Sequence, residues 1–270
     1  MKRLTFQLAV IVALGMALFA GPSRAGTIVL SNNFDGGATV GPAFQQVANG
    51  LGAGGSANPT TGVITTSTNS DVSAYGLNTI SSLDLSEYTA FTITWVVSAA
   101  TLTGTDAEIR SNGWLFGVTN STLTDGNGLF NNVSESAGLL MIATTTDGWE
   151  FYVRDNSTRI VSALNGDQPD FATFEDGFTL SLTLKDDNTW SASSTGLSNN
   201  INLTNQALLG DQTYATLAGN AVAYTSMQGW NTSYNVDSVT IIAVPEPSTL
   251  VMFGIVGLAG LLSLRRRRAS

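Results

Sequence analysis

Apolar and polar residues alternate with a period of two along several stretches of this chain. In FTITWVV (91–97), one face carries the aromatic and aliphatic residues and the other carries the threonines. FTLSLTLK (178–185) and WEFYVR (149–154) repeat the pattern. A period of two is typical of strands with one buried face. We therefore expect Trp95 and Trp149 to lie in a core.

Turn residues join these strands into hairpins. Asp147-Gly148 precedes WEFYVR, and Asp186-Asp187-Asn188 connects FTLSLTLK to TWSASS. Trp114 and Trp190 are expected to pack inside as well. Further strand candidates are 27–31, 62–68, 113–119, 159–163, 221–227 and 236–243. About ten to twelve strands predict an all-β fold, a two-sheet antiparallel jelly-roll sandwich. We expect one helical turn near 205–209 and a flexible loop at 49–58.

The first 25 residues have the pattern of a signal peptide. Lys2 and Arg3 precede an uncharged apolar run from Leu4 to Ala20. Small residues then stand at Ser23 and Ala25, which predicts cleavage between Ala25 and Gly26. The alternative is an uncleaved N-terminal anchor.

The chain ends with a second apolar stretch, 249–264, which contains 16 uncharged residues. As a helix it would span about 24 Å, against about 30 Å for the hydrocarbon core of a bilayer. Four arginines follow it and are expected to stop it on the cytoplasmic side of the membrane: Arg265, Arg266, Arg267 and Arg268. The length is marginal for a permanent membrane span, although a permanent C-terminal anchor is the alternative.

The order Pro245-Glu246-Pro247, apolar helix and arginine cluster resembles a PEP-CTERM sorting signal. The resemblance implies a Gram-negative bacterium and an exosortase, a transpeptidase-like membrane enzyme that cuts near the tripeptide. It also implies a precursor in the inner membrane and a mature protein at the cell surface or outside the cell. The predicted domains are the signal peptide (1–25), the β-sandwich (26–243) and the sorting signal (244–270).

Composition narrows the functional classes for the region 26–244. This region contains 19 of the 20 carboxylates, all except Glu246, and only four Lys or Arg residues. Its net charge is therefore −15. Such a surface repels nucleic acid. The chain has no cysteine and no histidine, which excludes disulfides and histidine-dependent nucleophile systems. Carboxylate chemistry of the glycosidase type stays open.

A second resemblance follows from the FTLSLTLKDDNTWSASSTG hairpin and the closing strand NVDSVTIIA. Both are similar to parts of the concanavalin-like jelly roll of lectins, laminin-G modules and related glucanases. Another jelly roll or an immunoglobulin-like sandwich is the alternative. The Glu-x-Asp-x-Glu cluster of the glucanases is missing, and Asp147 and Glu150 straddle a turn. We therefore predict no catalytic residue and no enzymatic activity.

The same resemblance implies a structural calcium ion between the first and last strands. Asp237 would be one ligand and Asp35 its partner, with backbone carbonyls completing the shell. The alternative is that Asp35 caps a turn and Asp237 faces solvent. Trp230 and Tyr234, in the polar segment QGWNTSYN, are candidates for stacking on a carbohydrate.

Three functions remain open at the level of sequence. The leading hypothesis is a non-enzymatic, exported cell-surface or extracellular-matrix protein, which meets the membrane transiently through its C-terminal helix. The second is a lectin-like protein that binds carbohydrate in the exopolysaccharide. The third is a divergent glycosidase. A concave groove with exposed aromatic rings would favour binding, whereas two carboxylates about 5–10 Å apart would favour hydrolysis.

Overall fold

The computed structural model describes residues 26–35, 40–48, 55–65, 74–102, 113–120, 135–142, 148–155, 158–164, 176–197, 200–228 and 232–246. These residues are mainly strand. The strands are β1 (Thr27–Asn32), β2 (Phe44–Ala48), β3 (Ser56–Ala57), β4 (Val63–Thr65), β5 (Ala74–Thr79), β6 (Tyr88–Leu102), β7 (Gly113–Thr119), β8 (Glu135–Ile142), β9 (Gly148–Asp155), β10 (Thr158–Leu164), β11 (Phe178–Lys185), β12 (Thr189–Thr195), β13 (Asn202–Ala207), β14 (Val222–Gln228) and β15 (Thr232–Pro245). One five-residue helix, α1 (Tyr214–Ala218), precedes β14. The all-β prediction is confirmed.

The strands form two antiparallel sheets. The first sheet has the order β13-β12-β11-β6-β15-β4-β3, and β1 also pairs with β15. The second sheet has the order β10-β9-β8-β7-β14-β5-β2. Both belong to one compact unit, Ile28–Glu246. The first and last strands of the chain are therefore neighbours, and β15 lies inside its sheet with partners on both edges.

The alternation of buried and partly exposed side chains determines the register of the first sheet. In β11, every second side chain is buried, beginning with Phe178. Its neighbour β6 pairs Trp95 with Leu180, so the buried faces of the two strands coincide. On the other edge of β6, Trp95 is opposite Val239 of β15. Trp95 is completely buried, as the sequence pattern predicted.

Aromatic rings join the two sheets across the core. Trp95 of the first sheet lies 5.7 Å from Phe116 of the second, measured between ring centroids. Trp190 stacks on Phe151 at 3.7 Å with an interplanar angle of 11°. Trp114 and Trp190 are both buried, which confirms their predicted packing role. The side chain of Trp149 lies outside what the structure describes.

The predicted hairpin after β11 is present. Asn188 adopts a left-handed conformation with φ of 60°, which asparagine tolerates better than most residues. Asp187 accepts hydrogen bonds from the backbone N–H and the hydroxyl of Thr189, at 3.0 and 2.6 Å. The Thr189 hydroxyl is the main cause that lowers the pKa of Asp187. In the other predicted hairpin, Gly148 is opposite Ile142, while Asp147 is outside the described residues.

The predicted helical turn at 205–209 is wrong. Residues up to Ala207 belong to β13, an edge strand with mainly exposed side chains. Asn205 has a φ of 51°, and the pairing of β12 with β13 is irregular between Trp190 and Ala192. The helix is α1 instead, where Thr213 and Thr216 hydrogen-bond reciprocally as a capping box.

Besides β13, three short strands were missing from the sequence prediction. Ser56–Ala57, assigned to the flexible loop at 49–58, forms β3 and pairs with β4. β2 was missed because its buried residues, Phe44 and Val47, are three apart and break the period of two. β5 contains a glycine and an asparagine, which are poor strand formers. Residues 66–68 of the predicted strand 62–68 are outside the described part of the chain.

Replacing Trp95 with alanine tests the register of the first sheet. We expect Trp95→Ala to lower the free energy of unfolding by about 3–5 kcal/mol, because it leaves a cavity between the sheets. Denaturant unfolding monitored by far-UV circular dichroism gives this value. Thr195→Ala, on the exposed end of β12, is the control and should change it by less than about 0.5 kcal/mol. A loss below about 1 kcal/mol for Trp95→Ala would contradict this register.

Candidate functional sites

The C-terminal end of β15 runs directly into the predicted sorting segment. Ala243 is completely buried and belongs to the hydrophobic core, whereas Val244 is 39% exposed. Pro245 is the last strand residue and is paired with Tyr88 at the start of β6. Proline has no N–H to donate and so ends the ladder naturally. Pro245 is extended, as predicted, and Glu246 is exposed.

Side chains from elsewhere in the sandwich hold the strand that faces this segment. The hydroxyl of Thr89 donates to the carbonyl of Val244 at 3.3 Å. The phenol of Tyr214, in α1, donates to the carbonyl of Tyr88 at 2.7 Å. Burial raises the pKa of Tyr214 above its ordinary value, and the negative charges of Asp186 and Glu246 add to this shift. Helix α1 therefore supports the start of β6, beside the end of β15.

Of the two predicted calcium ligands, Asp237 lies on β15 and Asp35 follows the end of β1, which pairs with β15. Asp35 is exposed and follows Phe34, which has a φ of 51°. Asp237 is exposed on β15, next to Val236. Gly62 lies against both Phe34 and the carbonyl of Val236, so the two segments approach each other there. Among the described residues there is no group of three or more acidic, histidine or cysteine side chains able to hold a metal ion.

The predicted exposure of Tyr234 is wrong. Tyr234 lies within β15, is only 2% exposed, and its hydroxyl shares a 2.7 Å hydrogen bond with Thr225 of β14. Its ring packs 6.0 Å from those of Trp114 and Phe116. Burial raises the pKa of Tyr234 and keeps the phenol protonated. The polar residues on either side of it in the sequence made the segment resemble a loop. Trp230 lies outside the described residues.

The outer face of the second sheet holds a group of buried side chains that sequence reasoning missed. Leu115, Val222 and Tyr224 are buried but do not belong to the core between the sheets. Tyr224 lies over Gly117, where a Cβ atom would come within 2.6 Å of the Tyr224 hydroxyl. Gly138 is opposite Gly117 on β8. Two facing glycines therefore leave room for the tyrosine ring on this face.

Three residues on this face carry hydroxyl groups that we call the buried hydroxyls: Ser136, Tyr224 and Ser226. All three residues are fully buried. Their hydroxyls find no hydrogen-bond partner among the described residues. A buried polar group without a partner costs about 1–3 kcal/mol, so such groups are uncommon in native proteins. Because the three residues are fully buried, a ligand cannot reach their hydroxyls in this conformation.

Comparison with known protein families identifies a motif in the C-terminal segment. Residues 243–268 match the family model of the PEP-CTERM protein-sorting motif. The chain carries a PEP-CTERM motif. The first three residues of that motif, Ala243 to Pro245, are thus also the last three residues of β15.

Solved structures with similar folds include the exoplasmic/lumenal domain of VIP36 and Lectin I from Ulex europaeus. The metal-free exoplasmic/lumenal domain of VIP36 is 10% identical with a TM-score of 0.51, covering 80% of this chain and 93% of that one. Its form bound to Ca²⁺ and Man gives the same identity and TM-score, with 80% and 91% covered. The chain thus has a lectin-like β-sandwich fold. Lectin I from Ulex europaeus, in complex with the methyl glycoside of α-L-fucose, is 11% identical with a TM-score of 0.49, covering 80% and 98%. A search among curated protein sequences gives no significant match.

The remaining predicted parts of the PEP-CTERM motif fall outside the described residues. These are Pro247, the apolar segment 249–264 and the four arginines expected to stop it, Arg265, Arg266, Arg267 and Arg268. Their roles in sorting therefore stay predictions. Of the predicted signal cleavage site, Gly26 is described and Ala25 is not. No helix among the described residues is long and apolar enough to span a bilayer.

Proposed function

We propose that this protein is an exported, non-enzymatic component of the cell surface or extracellular matrix. A signal peptide ending at Ala25 starts its export. The apolar segment 249–264 then holds the precursor in the inner membrane, with Arg265 to Arg268 on the cytoplasmic side. An exosortase-type enzyme finally processes the chain near Pro245-Glu246-Pro247. The observation that carries the proposal is the PEP-CTERM motif itself, which continues from the last strand of a folded β-sandwich.

The chemistry of the sandwich fits an extracellular location. It is strongly acidic and so has little affinity for nucleic acid or anionic lipid. It holds together through a buried core and two hydrogen-bonded sheets, without cysteine. A domain of this size can bury enough apolar surface to be stable without disulfides. The sequence also has no histidine to serve as the base of a serine or cysteine nucleophile, which favours a non-enzymatic role.

Substitution of the tripeptide tests the sorting function. We expect the triple variant Pro245→Ala, Glu246→Ala, Pro247→Ala to accumulate as the full-length chain in the inner membrane, because the enzyme loses its recognition sequence. The measurement is an immunoblot of fractionated cells in a host that has the sorting enzyme. A variant with Arg265 to Arg268 made neutral separates retention from recognition and should reduce retention before cleavage. Processing of the alanine variant at the rate of the parent would mean that the tripeptide is only a linker.

Carbohydrate binding is a second candidate function, and the likeness of the fold to the VIP36 domain supports it. The similar VIP36 domain has been solved with Ca²⁺ and Man. A structural calcium between Asp35 and Asp237 would fit this candidate, since a metal ion could fix the two segments that approach at Gly62.

Removing a proposed calcium ligand tests the second candidate. We expect Asp237→Asn to weaken glycan binding in Ca²⁺ about tenfold, because Asp237 is exposed and loses the charge that would hold the ion. A glycan array that includes mannose-terminated oligosaccharides, read in Ca²⁺ and in EDTA, provides the binding measurement. Thr195→Ala, on the exposed end of β12, is the control and should bind like the parent. No binding by the parent in either buffer, or equal binding by Asp237→Asn, would exclude a calcium-dependent lectin role.

A further inference from the structure

The PEP-CTERM motif begins inside a strand that is paired almost to its last residue. β15 pairs with β6 from Thr232 to Pro245, with irregularities around Val236 and between Val244 and Pro245, and β4 and β1 pair with its other edge. Within the motif, Ala243 is opposite Phe91 and Val244 is opposite Ala90. Ala243 is also completely buried. The start of the sorting motif is therefore part of the folded sandwich and not a free tail.

The partner strand is fixed at this point by contacts from three directions. The backbone N–H of Asp186, in the β11–β12 turn, donates to the carbonyl of Thr89 at 2.8 Å. Tyr214 donates to the carbonyl of Tyr88, and the Tyr88 N–H donates to the carbonyl of Leu85 at 3.1 Å. Tyr88 and Thr89 thus cannot follow β15 if its end moves. The end of β15 must detach from them to become free.

The segment between the sandwich and the predicted membrane segment is short. Only Glu246, Pro247 and Ser248 stand between Pro245 and the predicted membrane segment at Thr249. Three extended residues span about 10 Å at about 3.3–3.6 Å each. One common mode of recognising an extended peptide is to pair with its backbone, which a strand already paired to β6 cannot offer. A membrane enzyme therefore finds almost no unpaired chain upstream of the tripeptide while the sandwich is folded.

We infer that the folded sandwich controls the processing of its own sorting signal, through the pairing of Val244 and Pro245 with the start of β6. This inference rests on the proposed sorting function. The enzyme cuts a precursor in which the end of β15 has not yet docked or has detached locally. Local detachment of strand ends costs far less free energy than global unfolding, so it is compatible with a folded, exported protein.

A disulfide across this pair provides the test. Ala90 and Val244 are directly opposite on antiparallel strands, where Cα atoms lie about 4.5–5.5 Å apart. A disulfide accommodates about 4.4–6.8 Å. The chain has no cysteine of its own, so Ala90→Cys with Val244→Cys forms one defined bond in the oxidising periplasm. Pulse–chase labelling of the full-length precursor, in a host with the sorting enzyme, measures how fast the tail is removed.

We expect the oxidised double variant to lose its tail about tenfold more slowly than the parent, which corresponds to ~1.4 kcal/mol more for detachment. The two single cysteine variants are matched controls and should be processed like the parent. A six-residue Gly-Ser spacer inserted between Val244 and Pro245 should restore fast processing to the locked variant, because it frees the tripeptide while the strand stays paired.

The spacer separates local access from a general folding defect. Equal processing of the locked variant and the parent would overturn the inference, and so would a locked variant that the spacer does not rescue. A parent that keeps its tail in this host would instead contradict the proposed sorting function. The two failures are therefore distinguishable in one experiment.

Discussion

The pairing of β15 with β6 is the interaction on which the rest of this structure depends. It is a long antiparallel ladder, and it connects the last strand of the chain to a strand that lies far earlier in the sequence. On its inner face it aligns Trp95 with Val239, at the centre of the buried core. At its C-terminal end it holds the first residues of the PEP-CTERM motif. The same ladder thus determines core packing and the position of the sorting signal.

The second sheet closes over this ladder through aromatic contacts. Phe116 reaches Trp95, Phe178 and Tyr234 of the first sheet at centroid distances of 5.7 to 6.1 Å. Offset and edge-on ring contacts of this kind add to the stabilisation that burial itself provides. They explain how a cysteine-free domain can dispense with disulfides. They also turn aromatic residues inward, so that Tyr234 supports the fold and is not exposed for ligand binding.

Strict alternation is what made part of this fold predictable from sequence. β11 was predicted with its observed bounds, Phe178–Lys185, and the buried face of Trp95 follows from the same rule. β13 was missed because an edge strand with mainly exposed side chains has no apolar face to reveal it. The tripeptide could be identified from sequence because it is a local motif. The pairing of its first residue, Pro245, with Tyr88 joins distant parts of the chain, and no local pattern encodes it. The buried hydroxyls were missed for the same reason, since their common face arises only when separate strands become neighbours.

The sandwich and the sorting signal share the end of β15, so processing must leave this strand intact. The intact mass of the mature extracellular protein tests this claim most directly. We predict a chain that starts at Gly26 and ends at or after Pro245, because removal of Ala243 would take a buried residue out of the core. A mature chain that ends before Ala243, or an exported chain that retains Arg265 to Arg268, would contradict it.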